Sequence, residues 1–142
     1  MKVSVKIKKL HPEAIIPNYA HEGDAGLDIY TIEEYNLKPG ERHLFKTGLA
    51  IQIPEGYVSL FGDKSGLALN SGLTTLGGVI EHTYRGEYQV ILLNISDKEI
   101  FIKKHQKIAQ LLIQPICTAE IQEVDKLSET KRGSGGFGST GV

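Results

Sequence analysis

The sequence predicts an all-β domain, a sandwich or barrel built from many short strands. Three observations carry that expectation. Apolar residues alternate with polar ones, as in "LAIQIPEG", where Leu49, Ile51 and Ile53 share one face. Turn signals separate the alternating runs. Long stretches with a helical period are missing, and no repeat of 20 to 50 residues suggests a solenoid or propeller.

Taken in order, "MKVSVKIKKL" alternates Val3, Val5 and Ile7 with basic residues, a strand pattern and not the apolar block of a signal peptide. Lys38-Pro39-Gly40-Glu41 suits a type II turn, with proline setting φ and glycine supplying a positive φ, and Pro54-Glu55-Gly56 reads similarly. The helix candidate is "SGLALNSG", in which Ser65 would N-cap a short helix that Gly72 ends. "GGVIEHTYRGE", residues 77–87, reads as a rigid β-hairpin that presents Glu81 beside Tyr84. Ile121 and Val124 predict one further short strand. After Lys131 the composition changes, with five glycines in the ten residues "RGSGGFGSTG". The expected organisation is therefore a β domain over residues 1–131 and a flexible Gly-rich arm over 132–142.

Charge and composition narrow the function. With 142 residues and 40% hydrophobic composition the chain fits one core. A net charge of −1 gives no global field of the kind that marks nucleic-acid or membrane binders, so an anion site must be local. The apolar run "IAQLLIQPI" is interrupted by glutamines and far shorter than the roughly 20 residues of a membrane helix. A lone cysteine, Cys117, excludes an internal disulfide, fits a reducing compartment and reads as inert packing. The expectation is a cytoplasmic protein.

Chemistry concentrates in a few stretches. In the tail, consecutive glycine N–H groups can form anion nests, and Arg132, Ser139 and Thr140 add donors for phosphate oxygens. Gly133 to Gly138 has the spacing of a P-loop, but Ser139 occupies the lysine position. Phe137 among glycines has no packing neighbours in sequence, which suits a lid that stacks on a flat ring. In "GDKSGLALN", Lys64, Ser65 and Gly66 offer a charge, a hydroxyl and a backbone N–H for a second phosphate. Ser65 lacks the G-x-S-x-G elbow of a nucleophile. Asp28, in "DAGLDIY", reads by itself as an ordinary solvent-facing carboxylate. The histidines at 11, 21, 43, 82 and 105 show no zinc spacing, which leaves a hard cation carried by substrate phosphates as the metal option.

These stretches, with "KIAQLL" added, resemble in order the five signature motifs of the trimeric dUTPase family, from "AGLDIY" to "RGSGGFGSTGV". The resemblance implies a jelly-roll, β-clip-like distorted barrel with one short helix. It also implies a homotrimer with active sites at subunit interfaces, and magnesium-assisted hydrolysis of dUTP to dUMP and pyrophosphate. By position, Lys64, Ser65 and Gly66 would contact the phosphates, with Gln110 from a neighbouring subunit, and Asp28 would bind waters around the metal. The segment from Thr75 to Gln89, with Gly78, Val79 and Ile80, would read uracil largely through its backbone. Tyr84 would lie under the deoxyribose and exclude a 2′-hydroxyl. Arg132, Gly138, Ser139 and Thr140 would hold the γ-phosphate while Phe137 closes over the base. Glu81 becomes the candidate base that activates water.

The main departure lies there, because the family usually carries aspartate in G-x-I-D-x-x-Y-R-G. Glutamate keeps the charge, with a solution pKa of roughly 4.3 against 3.9, but moves the carboxylate by about one C–C bond. Active, slowed and purely binding proteins all remain open on that substitution. Lys64 stands for a usual arginine, Thr75 for an asparagine found in some members, and His105-Gln106-Lys107 for Gly-Asp-Arg. The related dCTP deaminases place an arginine at position 79 and a glutamate at position 91, where this chain has Val79 and Ile91, so deamination is not expected.

Overall fold

Alternation in sequence becomes burial along β8 (Glu87–Asn94), where Tyr88, Val90, Leu92 and Asn94 are buried and their neighbours face outward. In the computed structural model, which describes residues 2–141, β8 is one of two inner strands of a four-stranded sheet. Its other members are β1 (Lys6–Lys9), β4 (Arg42–Gln52) and β6 (Leu73–Leu76), in the order β1-β4-β8-β6. A second four-stranded sheet runs β2 (Leu27–Tyr30), β10 (Lys107–Pro115), β5 (Tyr57–Gly62), β7 (Val79–Glu81). A small two-stranded sheet pairs β3 (Tyr35–Leu37) with β9 (Ile100–Ile102). Every ladder is antiparallel. All three sheets contribute to one core that contains Phe45, Leu49, Ile51, Val90, Leu92, Leu37, Ile102, Ile108 and Leu111.

The alternation of β4 breaks at Thr47, Gly48 and Leu49, all buried. There the register with β8 shifts between Lys46↔Gln89 and Ala50↔Glu87, so three residues face Tyr88 alone. Side chains brace the bulge: Thr47 Oγ1 donates to the Tyr88 carbonyl at 2.5 Å, and Gly48 N–H donates to Glu87 Oε1 at 2.8 Å. It thereby fixes the first two residues of β8, where the chain returns from the Glu81 turn.

Several expectations hold in detail. Leu49, Ile51 and Ile53 are each at most 2% exposed. The Lys38–Glu41 turn closes with Glu41 N–H on the Lys38 carbonyl at 3.0 Å. Val3, Val5 and Ile7 are each half-buried between exposed neighbours, though strand pairing covers only Lys6–Lys9. The helix α1 (Ser65–Ser71) forms and ends at Gly72 in the left-handed conformation.

Other expectations fail. Lys64, not Ser65, is the N-cap: its carbonyl accepts Ala68 N–H at 2.9 Å, and no side chain caps the helix. Ile121 and Val124 form no strand and are exposed, because apolar residues three positions apart leave a strand on opposite faces and cannot share one buried face. Cys117 is exposed rather than packed, because β10 ends at Pro115. Among the described residues no helix is long and apolar enough to cross a membrane. The first residue of the N-terminal run and the last of the arm lie outside the described residues.

Candidate active site

The segment from Thr75 to Gln89 is not a simple hairpin. Its base is one, since β6 pairs with β8 from Leu73↔Asn94 to Leu76↔Ile91. Beyond Leu76 the two arms part. Gly77 and Gly78 carry the chain to the other sheet, where β7 pairs with β5 through Leu60↔Val79, Ser59↔Ile80 and Val58↔Glu81. Gly78 has φ 96°, and a Cβ there would fall 3.0 Å from Phe61 Cβ, so the crossing requires glycine. The chain then turns, with Tyr84 N–H on the Glu81 carbonyl at 3.0 Å, and returns along β8. The Glu81–Gly86 turn thus bridges the two sheets.

Buried hydrogen bonds hold that bridge. Ser59 Oγ, at 2.9 Å from Tyr88 Oη, donates to the Ile80 carbonyl at 3.2 Å, so the Tyr88 phenol must be the donor to Ser59. One strand of each sheet is thereby tied to β7. Burial of Tyr88 pushes its phenol pKa above the ordinary value, which keeps the donor proton in place. Tyr84 lies 6.0 Å from the Tyr88 ring and donates from Oη to the Glu87 carbonyl at 3.0 Å. Its phenol lies against Gly86: a Cβ on Gly86 would sit 2.3 Å from Tyr84 Oη.

A concavity of about 600 Å³ opens beside this turn. Val79, Ile80, Glu81, Tyr84 and Gln89 line it, with Leu44, Thr83, Arg85 and Glu87. The structure therefore brings five of the residues singled out from sequence to one cavity. Glu81 is exposed, and among the described residues its carboxylate has no hydrogen-bond or ion-pair partner. It is free to accept a proton or a water.

A second group gathers around Asp28. Asp28 lies opposite Gln110 in the β2–β10 ladder, and its side chain is 2% exposed. Lys64 Nζ donates to Asp28 Oδ1 at 2.5 Å. Lys107 Nζ lies 2.8 Å from Oδ2, an ion pair without the direction of a good hydrogen bond. Burial alone would raise the Asp28 pKa, but Lys107 and Lys64 together outweigh it and hold the carboxyl below the usual range. The same contact raises the Lys107 pKa. Gln110 Nε2 donates to the Asp63 carbonyl at 2.8 Å, beside Lys64.

Thr75 joins this second group rather than the cavity lining. Its N–H and hydroxyl each donate to Asp63 Oδ1 at 2.6 Å, and the Thr74 hydroxyl donates to Oδ2 at 2.7 Å. Burial works against the Asp63 charge, but these bonds from Thr75 and Thr74 prevail and lower its pKa. Ser65 and Gly66 are exposed at the start of α1.

The third group is the tail. Arg132, Phe137, Gly138, Ser139 and Thr140 are exposed, and Phe137 is fully so. Arg132 Nε donates only locally, to the Gly135 carbonyl at 2.9 Å. Within one chain no hydrogen bond or ion pair among the described residues joins this tail to Glu81 or to Asp28.

Sequence reading passed over Lys107 as a binding-site cation, and overlooked Asp63, Ser59, Tyr88 and Gly86 as supports. Tyr88 was visible as an inward position of the β8 alternation, but its bond to Ser59 joins residues 29 apart and has no local signature. As for a metal, no group of three or more His, Cys, Asp or Glu clusters among the described residues. Asp28 is occupied by two ammonium groups, so these side chains do not form a direct cation site.

The dUTPase family model matches residues 12–141. The chain is 48% identical over 140 residues to the deoxyuridine 5'-triphosphate nucleotidohydrolase of Clostridioides difficile, covering 97% of this chain and 98% of that one. It is 50% identical over 141 residues to the protein of that name from Nautilia profundicola, covering 98% and 99%. The fold is similar to the dUTPase of Staphylococcus bacteriophage 80alpha with dUPNHPP, with a TM-score of 0.91, 32% identity and coverage of 98% and 99%. A mutant dUTPase from phage phi11 of S. aureus, whose structure is described as revealing the coordination of a structural Mg(II) ion, aligns with a TM-score of 0.83 and 28% identity, over 89% and 99%. The jelly-roll architecture expected from the motifs holds.

Proposed function

The chain belongs to the dUTPase family, and on that premise we propose that it hydrolyses dUTP to dUMP and pyrophosphate, limiting uracil incorporation into DNA and supplying dUMP. Glu81 orients a water and takes its proton. The water oxygen attacks the α-phosphorus in line, the bond from that phosphorus to the bridging oxygen breaks, and pyrophosphate leaves with the electron pair. No covalent intermediate forms. The observation that carries this reading is the free Glu81 carboxylate in a cavity beside Tyr84, on a turn anchored to both sheets.

Binding follows the division into three groups. Uracil is read by backbone groups from Gly78 to Ile80 and by Gln89, with Thr75 supporting the frame through Asp63. Tyr84 fills the space a 2′-hydroxyl would need. Lys64, Ser65, Gly66 and Gln110 hold the phosphate chain. Arg132, Gly138, Ser139 and Thr140 hold the γ-phosphate, and Phe137 closes over the base. The tail lies apart from Glu81 and Asp28 in one chain while Ile121, Val124, Leu127 and Phe137 are exposed, which supports a homotrimer with shared sites. Magnesium would arrive on the triphosphate with its own waters, and Asp28 would face those waters only after Lys64 leaves Oδ1.

The alternative is a dUTP-binding trimer that hydrolyses slowly or not at all, because Glu81 carries one methylene more than the family's aspartate. A misplacement of about 1 Å can cost on the order of 100-fold in rate. Pyrophosphate release from dUTP, compared among the parent chain, Glu81→Asp and Glu81→Gln, decides between them. Fast turnover lost only in Glu81→Gln supports the base role; turnover gained only in Glu81→Asp identifies a binding protein. Deamination of dCTP has no support, because Ile91 is half-buried in the β6–β8 ladder and supplies no carboxylate.

A further inference from the structure

Asp28 holds two cations on differently anchored backbones: Lys64 hydrogen-bonds Oδ1 at 2.5 Å with its side chain 31% exposed, and Lys107 pairs with Oδ2 at 2.8 Å with its side chain 46% exposed. Lys107 belongs to β10, a central strand, and its ammonium also lies 5.9 Å from the centroid of the Tyr30 ring. Lys64 precedes a seven-residue helix that buries none of its residues, and among the described residues its ammonium bonds to Asp28 alone. The carboxylate they share is 2% exposed. A buried carboxylate stripped of all partners is strongly disfavoured, so either lysine can leave only if the other remains. Mutual repulsion between the two ammonium groups also weakens the hold on each. Both positions carry arginine in the usual family pattern; lysine, a point charge on a flexible stem, exchanges one acceptor for another without breaking a bidentate pair.

We infer that Asp28 is the resting anchor of Lys64 and that Lys107 is a positioning residue that permits its release. When the triphosphate enters, Lys64 Nζ exchanges Asp28 Oδ1 for a phosphate oxygen. Lys107 stays on Oδ2 and keeps the buried charge neutralised. Lys107 thus acts on substrate affinity through Asp28 and not by touching the phosphates. This rests on the dUTP reading above.

The test is calorimetric titration with dUpNHpp in EDTA, so that neither turnover nor a metal enters the readout. Lys107→Met should weaken binding about tenfold or more, and Lys107→Arg should stay within threefold of the parent. In the Asp28→Asn background the carboxylate no longer needs neutralising, so adding Lys107→Met should change affinity less than threefold. A loss of threefold or more in that background means direct phosphate contact and overturns the inference; so does a loss below threefold in the single variant. If Lys107→Met melts far below the parent, a crystal structure of the parent chain with dUpNHpp replaces it. Lys64 Nζ on a phosphate oxygen with Lys107 still on Asp28 supports the exchange, and Lys64 still on Asp28 overturns it. A parent chain that binds no dUpNHpp under any condition removes the dUTP reading itself, an outcome distinct from each of these.

Discussion

Gly86→Ala should separate folding from sugar recognition. The new Cβ would lie 2.3 Å from Tyr84 Oη, 2.5 Å from Cζ and 2.9 Å from Cε2. Carbon contacts settle at about 3.5–4.0 Å, so the phenol end must retreat by more than about 1 Å. Tyr84 is 44% exposed, so its ring can swing outward instead of distorting the backbone. The fold then loses little beyond the Tyr84–Glu87 hydrogen bond, about 1 kcal/mol, or a fall of roughly 3–5 °C in melting temperature for a domain of this size. Recognition loses more: displacement of about 1 Å at a positioning group can cost on the order of 100-fold in kcat/KM for dUTP. The space opened beside the sugar should also reduce the preference for dUTP over UTP. Steady-state kinetics with both nucleotides and thermal melts measure the two effects. An unchanged ratio of kcat/KM for dUTP over UTP, with the collision relieved, would refute Tyr84 as the group that excludes the 2′-hydroxyl.

Truncation after Lys131 should leave the melting temperature within about 2 °C, because among the described residues the arm is largely exposed and no hydrogen bond or ion pair joins it to the core, while abolishing pyrophosphate release; retained turnover would remove the lid role. Asp63→Ala should destabilise by about 3 kcal/mol, since it strands the Thr75 N–H and the hydroxyls of Thr74 and Thr75, and a urea midpoint equal to the parent's would contradict that network. Asp28 and Asp63 both have lowered pKa values in the fold, so their contribution is present above the unfolded carboxylate value, about 3.9, and is lost as pH falls through their lower folded values. Unfolding free energy should therefore fall with acidification below about pH 4, and Asp28→Asn should flatten that slope. Lys107 has a raised pKa, so its contribution should persist until pH rises beyond the ordinary lysine value of about 10.4.

Local chemistry made much of this protein legible. Alternation of period two marked Leu49, Ile51, Ile53 and β8 as inward-facing, since a strand's side chains leave on opposite faces whatever the rest of the chain does. The ends of α1 were readable to within one residue, because glycine at position 72 accepts a left-handed backbone that other residues resist. Motif residues in fixed order identified the family and nominated Glu81, Tyr84 and the tail. Where alternation was replaced by wider spacing, as at Ile121 and Val124, the strand expectation failed.

Tertiary structure decided what those residues touch. The sequence 77–87 reads as a hairpin because its turn signals are local, yet β7 pairs with β5 in the opposite sheet, a choice made by residues about twenty positions away. Asp28 reads as an ordinary solvent-facing carboxylate, yet it is buried between Lys64 and Lys107, the first 36 positions away in the chain. A sequence records each residue's propensity and charge, which act over a turn or a strand's length. Burial, pairing and the sharing of one carboxylate by two lysines arise only when distant segments meet, and those contacts determine how strongly each group is held.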